Sequence, residues 1–392
     1  MIQSVRGTKD ILPDTVALWQ FVENKFREIS SLFCYDELRT PIFEKTEVFH
    51  RSIGEETDIV NKEMYTFLDK GGESITLRPE MTAALVRAVI QNSMLSQSGL
   101  LKLWYFGPFF RYERPQKGRL RQFHQFGAEC IGSPYPESDV EVILLADTLF
   151  KALGIENYNL LINSLGNENS RKMYRDALIN YLDSVKDDLS YDSKSRMDKN
   201  PLRVLDSKDE KDVNILVNAP RIIDYLDEPS LSHFNKVKVL LDNQNVKYII
   251  SPKLVRGLDY YSHTVFEFQS SYLGSQDSFG GGGRYDGLIG QLGGKDTPAV
   301  GFALGVERLL MIIEAINNKN NELITNPDFF IIGFGDEAEK YSQESAMILR
   351  NRNFKVAIDL NRRSMKAQLR EANRLNVKYS ICLLYTSPSP RD

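Results

Sequence analysis

The sequence predicts an α+β protein: a mainly antiparallel sheet flanked by helices, interrupted by a helical insertion and followed by a small α/β domain with a parallel sheet. Three observations predict it. Residues 101–131 run strand, turn, strand, with Arg114 and Arg121 flanking the turn, as in an antiparallel hairpin. Residues 170–240 become polar and helix-forming with a thin apolar pattern, as in SVKDDLSYDSKSRMDKN, and read as an inserted module. From residue 329 the rhythm changes to strand, helix, strand, helix, strand, the sign of a small parallel sheet.

Each element has a local reason. Asp14 or Thr15 can cap a first helix whose apolar residues Val16, Trp19, Val22, Phe26, Ile29 and Phe33 recur at three- and four-residue spacing. An extended segment, 38–43, follows. Its Pro41 removes a ladder donor and places it at a sheet edge, and a second subunit is one way to cover an edge. Residues 74–79 predict a strand and 80–92 a helix. Strands at 101–106 and 109–114, a loop at 115–120 and a strand at 121–131 make the hairpin. A helix at 139–153, a strand at 158–163, the insertion, strands within 247–268 and a helix from Val300 to Ile316 complete a first domain, residues 1–325, with 322–327 as linker. The second domain, 326–381, holds strand 329–334, helix 337–351, strand 355–360, helix 364–375 capped by Ser364, and a strand from Val377.

Composition bounds the function. A chain of 392 residues suits two or three domains, and 42% hydrophobic with 26% charged residues is a globular balance. The longest apolar runs, Val142–Ala146 and Phe329–Phe334, fall far short of the ~20 residues of a membrane span, so no membrane partner is expected. The amino terminus, MIQSVRGTKDILPD, has no apolar core of a secretory signal. Cys34, Cys130 and Cys382 are far apart and suit a reducing cytoplasm. The four histidines are scattered, so no metal site is expected. Net charge is 49 − 53 = −4, which leaves RNA binding to local patches. Residues 111–121 supply one, with Arg111, Arg114, Lys117, Arg119 and Arg121 against Glu113. A charge run is usually a solvated face, but this one sits between two strands.

The chemistry concentrates on a few segments. Odd positions of strand 121–131 share one face: Arg121, Phe123, Gln125, Gly127 and Glu129. Gly127 leaves a gap in which a ligand could approach the backbone, and Arg111 on the partner strand can face the same space. Such spaced polar groups suit a small zwitterion plus phosphates; an exposed polar face without function is the plain alternative. Glu80 could pair with an ammonium and Thr82 with a polar group, or both could simply favour a helix start. In LVRGLDYYSHTVFEF, residues 254–268, Arg256 stands near Tyr260 and Tyr261; an ordinary strand with tyrosines on its surface would read the same way. The Gly280–Gly283 cluster fits no GxGxxG, and GQLGGKD at 290–296 is one residue short of a P-loop, so any ATP is held by neither. Gly301 and Gly305 would let Arg308 approach the sheet, although alone Arg308 reads as a surface residue of a helix.

Taken together, RGTKDILP at 6–13, TLRPEMTAA at 76–84, FRYERPQKGRLRQFHQFGAE at 110–129, LVRGLDYYSHTVFEF at 254–268, GGGRYDGL at 281–288 and AVGFALGVERLL at 299–310 resemble the histidine–tRNA ligases in order and spacing. The resemblance covers residues 1–381. It implies the class II synthetase fold, a six-stranded antiparallel sheet flanked by helices, with a terminal α/β domain that binds the anticodon of a histidine tRNA. It implies L-histidine and ATP as substrates, Mg²⁺ with the ATP phosphates, and a homodimer whose interface includes Pro41. By resemblance, Arg111 and Arg308 hold the α- and γ-phosphates, with Arg119 also at ATP. Glu80, Thr82 and Gln125 hold the ammonium and carboxylate end of histidine, Glu129 and Tyr261 its imidazole, with Tyr260 beside them. Arg256 sits on the carboxylate and α-phosphate. Gln116 and Arg121 approach the tRNA acceptor stem.

The resemblance also implies that a terminal domain of this kind continues beyond residue 381 with more strands and a final helix. Residues 382–392, CLLYTSPSPRD, instead offer a Ser-Pro-Ser-Pro run that resists both. We expect them to be a tail foreign to the family and the terminal domain to be incomplete. Two other readings follow from the same segments. A non-catalytic, synthetase-like regulatory subunit of ATP phosphoribosyltransferase would lose parts of the arginine set and the terminal domain, which this chain keeps or begins. A plain RNA-binding module leaves RGLDYY unexplained.

Overall fold

Residues 1–318 and 319–392 form two units. The computed structural model describes all residues except 1, 55–56, 58, 200, 208, 257, 259, 275–276, 317–325 and 384–392. Most of the linker expected at 322–327, the tail beyond 383 and Asp259 of RGLDYY therefore lie outside the described residues.

In the first unit the strands are β1 (Asp36–Glu37), β2 (Phe43–Lys45), β3 (Tyr65–Leu68), β4 (Ser74–Leu77), β5 (Leu101–Phe110), β6 (Gln122–Ile131), β7 (Asn159–Ser164), β8 (Ile249–Ile250), β9 (Ser262–Gln269), β10 (Ser278–Arg284) and β11 (Ala299–Gly305). The large sheet runs β1-β5-β6-β11-β10-β9-β7-β8 and a small one β2-β4-β3. Its six central strands are antiparallel throughout. The sheet has eight strands rather than six because β1 and β8, two residues each, add in parallel at its two edges.

Several boundaries differ from the sequence expectation, each for a physical reason. The segment expected to extend over 38–43 is split. Leu38 still donates to the Trp104 carbonyl at 2.9 Å, then the chain leaves the large sheet through Pro41 and joins the small one at Phe43. The two strands expected on either side of Gly107-Pro108 are one, β5. Phe110 donates its N–H away from β6, to the Arg78 carbonyl at 3.0 Å. Residue 108 faces the same way, so the missing proline donor breaks no bond to β6. The helix expected from Val300 starts only at Val306. Val300, Phe302 and Leu304 alternate along β11, which lies buried between β6 and β10. The first helix starts at Pro13, which takes the first helical position, so neither Asp14 nor Thr15 is its cap.

That helix, Pro13–Leu32, buries Val22, Phe26 and Ile29. Phe26 stacks on Phe126 of β6 with ring centroids 4.2 Å apart. The pleat then turns the odd positions of β6 to the opposite face, where the cleft lies. The insertion consists of helices Glu168–Ser184, Tyr191–Lys199, Glu210–Ile215 and Glu228–Asn243 with 3-10 turns between them. Its apolar faces are thin, and a buried carboxylate helps to tie it. Asp212 accepts the Ser190 N–H and the hydroxyls of Ser190, Ser193 and Ser207 at 2.5–2.8 Å. Burial alone would push this carboxyl up, but those bonds outweigh it and hold the pKa at about 2.

In the second unit β12 (Phe329–Gly333), helix Asp336–Arg350, β13 (Val356–Ile358), helix Met365–Arg374 and β14 (Tyr379–Leu383) give a parallel sheet of order β13-β12-β14. Ser364 occupies the cap position of the second helix, but its side chain makes no capping bond. Gln368 instead ties that helix to the sheet, accepting the Gly333 N–H at 3.2 Å and donating to the Gly333 carbonyl at 2.8 Å.

Candidate active site

The open face of the large sheet holds a cleft of about 580 Å³. Phe123, Gln125 and Glu129 of β6 line it, together with Glu80, Thr82, Tyr260 and Tyr261. Arg111, Arg119, Arg256 and Arg308 line it as well. Gln116 and Arg121 do not. Gln116 exchanges backbone hydrogen bonds with Arg119 at the tip of the hairpin, and Arg121 lies 3.9 Å over the Tyr112 ring.

At one end the polar groups are buried and mutually fixed. Glu129, 1% exposed, accepts the Thr82 hydroxyl at 2.9 Å and the Tyr285 hydroxyl at 2.7 Å. Burial outweighs these bonds and raises its pKa to about 8. Glu80 accepts the backbone N–H groups of Thr82 and Ala83 at 2.7 and 2.9 Å, so it does cap the helix Thr82–Gln91 while lining the cleft. Burial raises its pKa too. Tyr260 packs on Tyr261 with centroids 4.7 Å apart. Gln125 has a buried carbonyl oxygen without a hydrogen-bond partner among the described residues, which suits a ligand donor.

At the other end positive charge collects. The Arg111 Nε donates to the Pro79 carbonyl at 2.9 Å, and its guanidinium faces the Phe123 ring. Glu113 holds Arg119 at 3.2 Å. Arg256 pairs with Glu267 at 2.9 Å; burial disfavours its charge, but Tyr261 and Glu267 outweigh that and keep its pKa raised. Arg308 donates to the carbonyls of Gly118, at 3.1 Å, and Ser278. Its neighbour Glu307 accepts the His124 N–H at 3.0 Å and so locks the helix Val306–Ile316 onto β6. Burial, then the nearby Arg119, lower the Arg308 pKa, as expected where cations crowd before an anion arrives.

Two lining tyrosines escaped the sequence reading. Tyr285 follows the glycine strand and reaches Glu129. Tyr105 of β5 fills the space beside Gly127: a Cβ there would overlap its hydroxyl. The gap expected for a ligand at Gly127 is thus taken by a phenol. An aromatic directly opposite a strand glycine is the pattern to look for once the hairpin register is known.

The geometry of a buried polar pocket continuous with an arginine-lined trough can be set beside known proteins. The family model described as "Histidyl-tRNA synthetase" matches residues 7–309. The chain belongs to the histidyl-tRNA synthetase family. A histidine–tRNA ligase of Microcystis aeruginosa is 52% identical over 382 residues, 97% of this chain and 89% of that protein. One from Acaryochloris marina is 50% identical, covering 95% and 86%. The crystal structure of apo Staphylococcus aureus histidyl-tRNA synthetase aligns with TM-score 0.81 at 38% identity, covering 98% of this chain and 91% of that one. A Bacillus halodurans protein described as an ATP phosphoribosyltransferase regulatory subunit/histidyl-tRNA synthetase shares the fold, with TM-score 0.71 at 24% identity over 99% of each chain. A model for an anticodon-binding domain matches 328–383, the span of β12 to β14. Within the histidyl-tRNA synthetase family framework, all six sequence segments quoted above fall in the first unit, and five of them supply residues to the cleft.

Proposed function

We propose that the cleft binds L-histidine at its Glu129 end and the triphosphate of ATP at its arginine end. The chain is an ATP-dependent histidine–tRNA ligase, forming histidyl-adenylate and passing histidine to its tRNA. The observation that carries the assignment of ends is Glu129: a buried carboxylate held between two hydroxyls, at the closed end of a cleft with four arginines. A buried acceptor beside phenols matches the two ring nitrogens of an imidazole and leaves other side chains poorly paired.

In this reading Glu80, Thr82 and Gln125 orient the histidine ammonium and carboxylate, with Tyr260 and Tyr261 closing over the ring. Arg256 neutralises charge as the histidine carboxylate attacks the α-phosphorus. Arg111 and Arg119 hold the phosphates on one side and Arg308 on the other. Catalysis is positioning and charge stabilisation by preset groups. Among the described residues no cluster of three or more His, Cys, Asp and Glu could hold a metal. Mg²⁺ would arrive with ATP, bound by phosphates and water, with Glu113, Glu267 and Asp277 among the carboxylates of the cleft wall. Gln116 and Arg121, outside the cleft on the same loop, would meet the acceptor end of the tRNA. Residues 1–325 would form the catalytic domain and 326–381 the anticodon-binding domain.

We place the enzyme in the cytoplasm as a homodimer. No described helix is long and apolar enough to cross a membrane. Ile42 and Phe43, next to Pro41, are exposed apolar residues that a second copy would cover. Sedimentation should give about twice 44.9 kDa. The deciding experiment is ATP–pyrophosphate exchange with each standard amino acid. Exchange with histidine alone is expected; equal exchange with another amino acid, or none with histidine, overturns the assignment.

A further inference from the structure

The segment RGTKDILP supplies no residue to the cleft, yet it docks on the loop that does. Val5 to Thr8 form a β-turn, closed by the Thr8 N–H on the Val5 carbonyl at 3.0 Å and reinforced by the Thr8 hydroxyl on the same oxygen at 2.7 Å. Gly7 is the third residue of this turn, at φ +87°, a conformation that a side chain disfavours. Its carbonyl accepts the Arg121 N–H at 2.7 Å, and the Arg121 carbonyl accepts the Arg111 N–H at 2.9 Å. A Cβ on Gly7 would stand 2.8 Å from Cγ of Arg121 and 3.0 Å from Cγ of Pro115. Only glycine fits between the turn and the loop. On the cleft side, Arg308 donates to the Gly118 carbonyl at 3.1 Å. The loop 111–121 is therefore gripped from both sides.

We propose that Gly7 is a positioning residue for adenylation: its carbonyl clasps the 111–121 loop and so sets where Arg111, Glu113 and Arg119 stand against ATP. The inference rests on reading the arginine end of the cleft as the ATP site. The clasp acts on one end of the cleft only. Arg111 and Arg119 belong to the loop and converge on Glu113 at 3.9 and 3.2 Å. Glu129 and Thr82 belong to β6 and a helix start, Tyr285 follows β10, and their mutual bonds do not involve the loop. Loosening the loop misplaces phosphate ligands and leaves the histidine pocket as it was.

The test uses the full chain with Gly7→Ala, and Thr8→Val as a milder variant that keeps the glycine and removes the hydroxyl bond. Gly7→Ala should raise KM for ATP in pyrophosphate exchange about tenfold, the order expected for losing one well-made hydrogen bond. Thr8→Val should shift it less, in the same direction. The histidine Kd from calorimetry should stay within about twofold and the melting temperature near that of the wild type, a split that a general folding defect does not give. Independently of activity, trypsin should cut after Lys117, Arg119 or Arg121 faster in Gly7→Ala. Unchanged KM for ATP with unchanged cleavage overturns the proposal, as does a parallel loss of histidine affinity and thermal stability. A wild-type protein with no histidine-dependent exchange would instead condemn the reading of the cleft, and the trypsin comparison would still decide whether Gly7 holds the loop.

Discussion

Glu129→Gln should make the protein more stable and less able to use histidine, with the stability gain confined to pH above the ordinary carboxylate range. The Glu129 carboxyl is buried, and burial raises its pKa from 4.5 to about 8 despite the bonds from Tyr285 and Thr82. Over that window the folded chain keeps a proton that the unfolded chain releases. The stability from this group is therefore complete below about pH 4.5 and falls as the pH rises through the window to about 8. Each unit corresponds to about 1.4 kcal/mol. Between pH 5.5 and 8.5 the wild type should lose roughly 3 kcal/mol through this one side chain, and a neutral glutamine loses none of it. Glutamine keeps one acceptor and turns the other into a donor. The Thr82 and Tyr285 hydroxyls can each accept as well as donate, so the exchange costs about 1 kcal/mol at any pH. Near pH 5.5 the two proteins should be about equally stable; at pH 8.5 the variant should lead by roughly 3 kcal/mol.

Urea unfolding followed by tryptophan fluorescence reads this directly. Both tryptophans report on the first unit: Trp19 lies against His124, with centroids 4.8 Å apart, and Trp104 lies on β5, with its centroid 6.0 Å from that of Phe126. Histidine-dependent pyrophosphate exchange should fall at every pH, because an amide no longer offers the ring an ionisable acceptor. A stability difference that is the same at pH 5.5 and 8.5 would refute the argument that the carboxyl is held protonated by burial.

Three further outcomes follow from the same geometry. Arg256→Ala should slow single-turnover adenylation by ~10²–10³, the scale for removing one preset donor to a developing charge, and weaken histidine binding less; normal single-turnover rates would remove Arg256 from the chemistry. Gly301→Ala should cut histidine use with little change in ATP binding, since a Cβ there overlaps the Glu129 carboxylate; unaltered histidine kinetics would show that the pocket can yield. Asp212→Ala should destabilise the insertion by about 2–3 kcal/mol, from a carboxyl held at about 2 against 3.8. That stability is present above about pH 3.8 and lost as the pH falls towards 2, so hydrogen exchange in residues 186–218 should differ at pH 7 and converge near pH 2.

Legibility in the sequence followed periodicity. The β6 face could be read because polar and small residues alternate at period two from 121 to 129, and the second unit because helix and strand periods alternate cleanly. The strand Ala299–Gly305 was missed for a related reason. At the centre of the sheet both of its faces are covered, so the apolar run lacks polar alternation, and its continuity with the helix from Val306 hid the boundary. Residues 251–261 were expected within a strand, but the described residues among them lie outside strands, between β8 and β9, and Arg256, Tyr260 and Tyr261 line the cleft. Tyr285 was not legible as a partner of Glu129, because it follows β10, which β11 separates from β6, and reaches across only in the folded sheet; Tyr105 faces Gly127 only once the β5–β6 register is set, which no single segment specifies.

The site also explains why so many glycines sit inside strands, where they ordinarily weaken a sheet. Gly301 pairs with Glu129 in the β11–β6 register, and the volume a side chain would take at 301 is occupied by the Glu129 carboxylate. Gly127 pairs with Tyr105 and leaves room for its phenol. A Cβ on Gly281 would stand 3.0 Å from Nη1 of Arg256. In each case a strand gives up its own side chain so that a polar one from a neighbouring strand or loop can lie flat on the sheet, at a depth where water is excluded and charge interactions strengthen. Buried polar groups are expensive unless their partners are fixed, and a sheet fixes them because its register is rigid. The glycines are therefore not a phosphate-binding fingerprint that has drifted. They are the space in which a carboxylate, a phenol and a guanidinium are set, and a methyl group at any of the three would press on that polar side chain and on a backbone carbonyl as well, that of Ala128, Phe302 or Phe266.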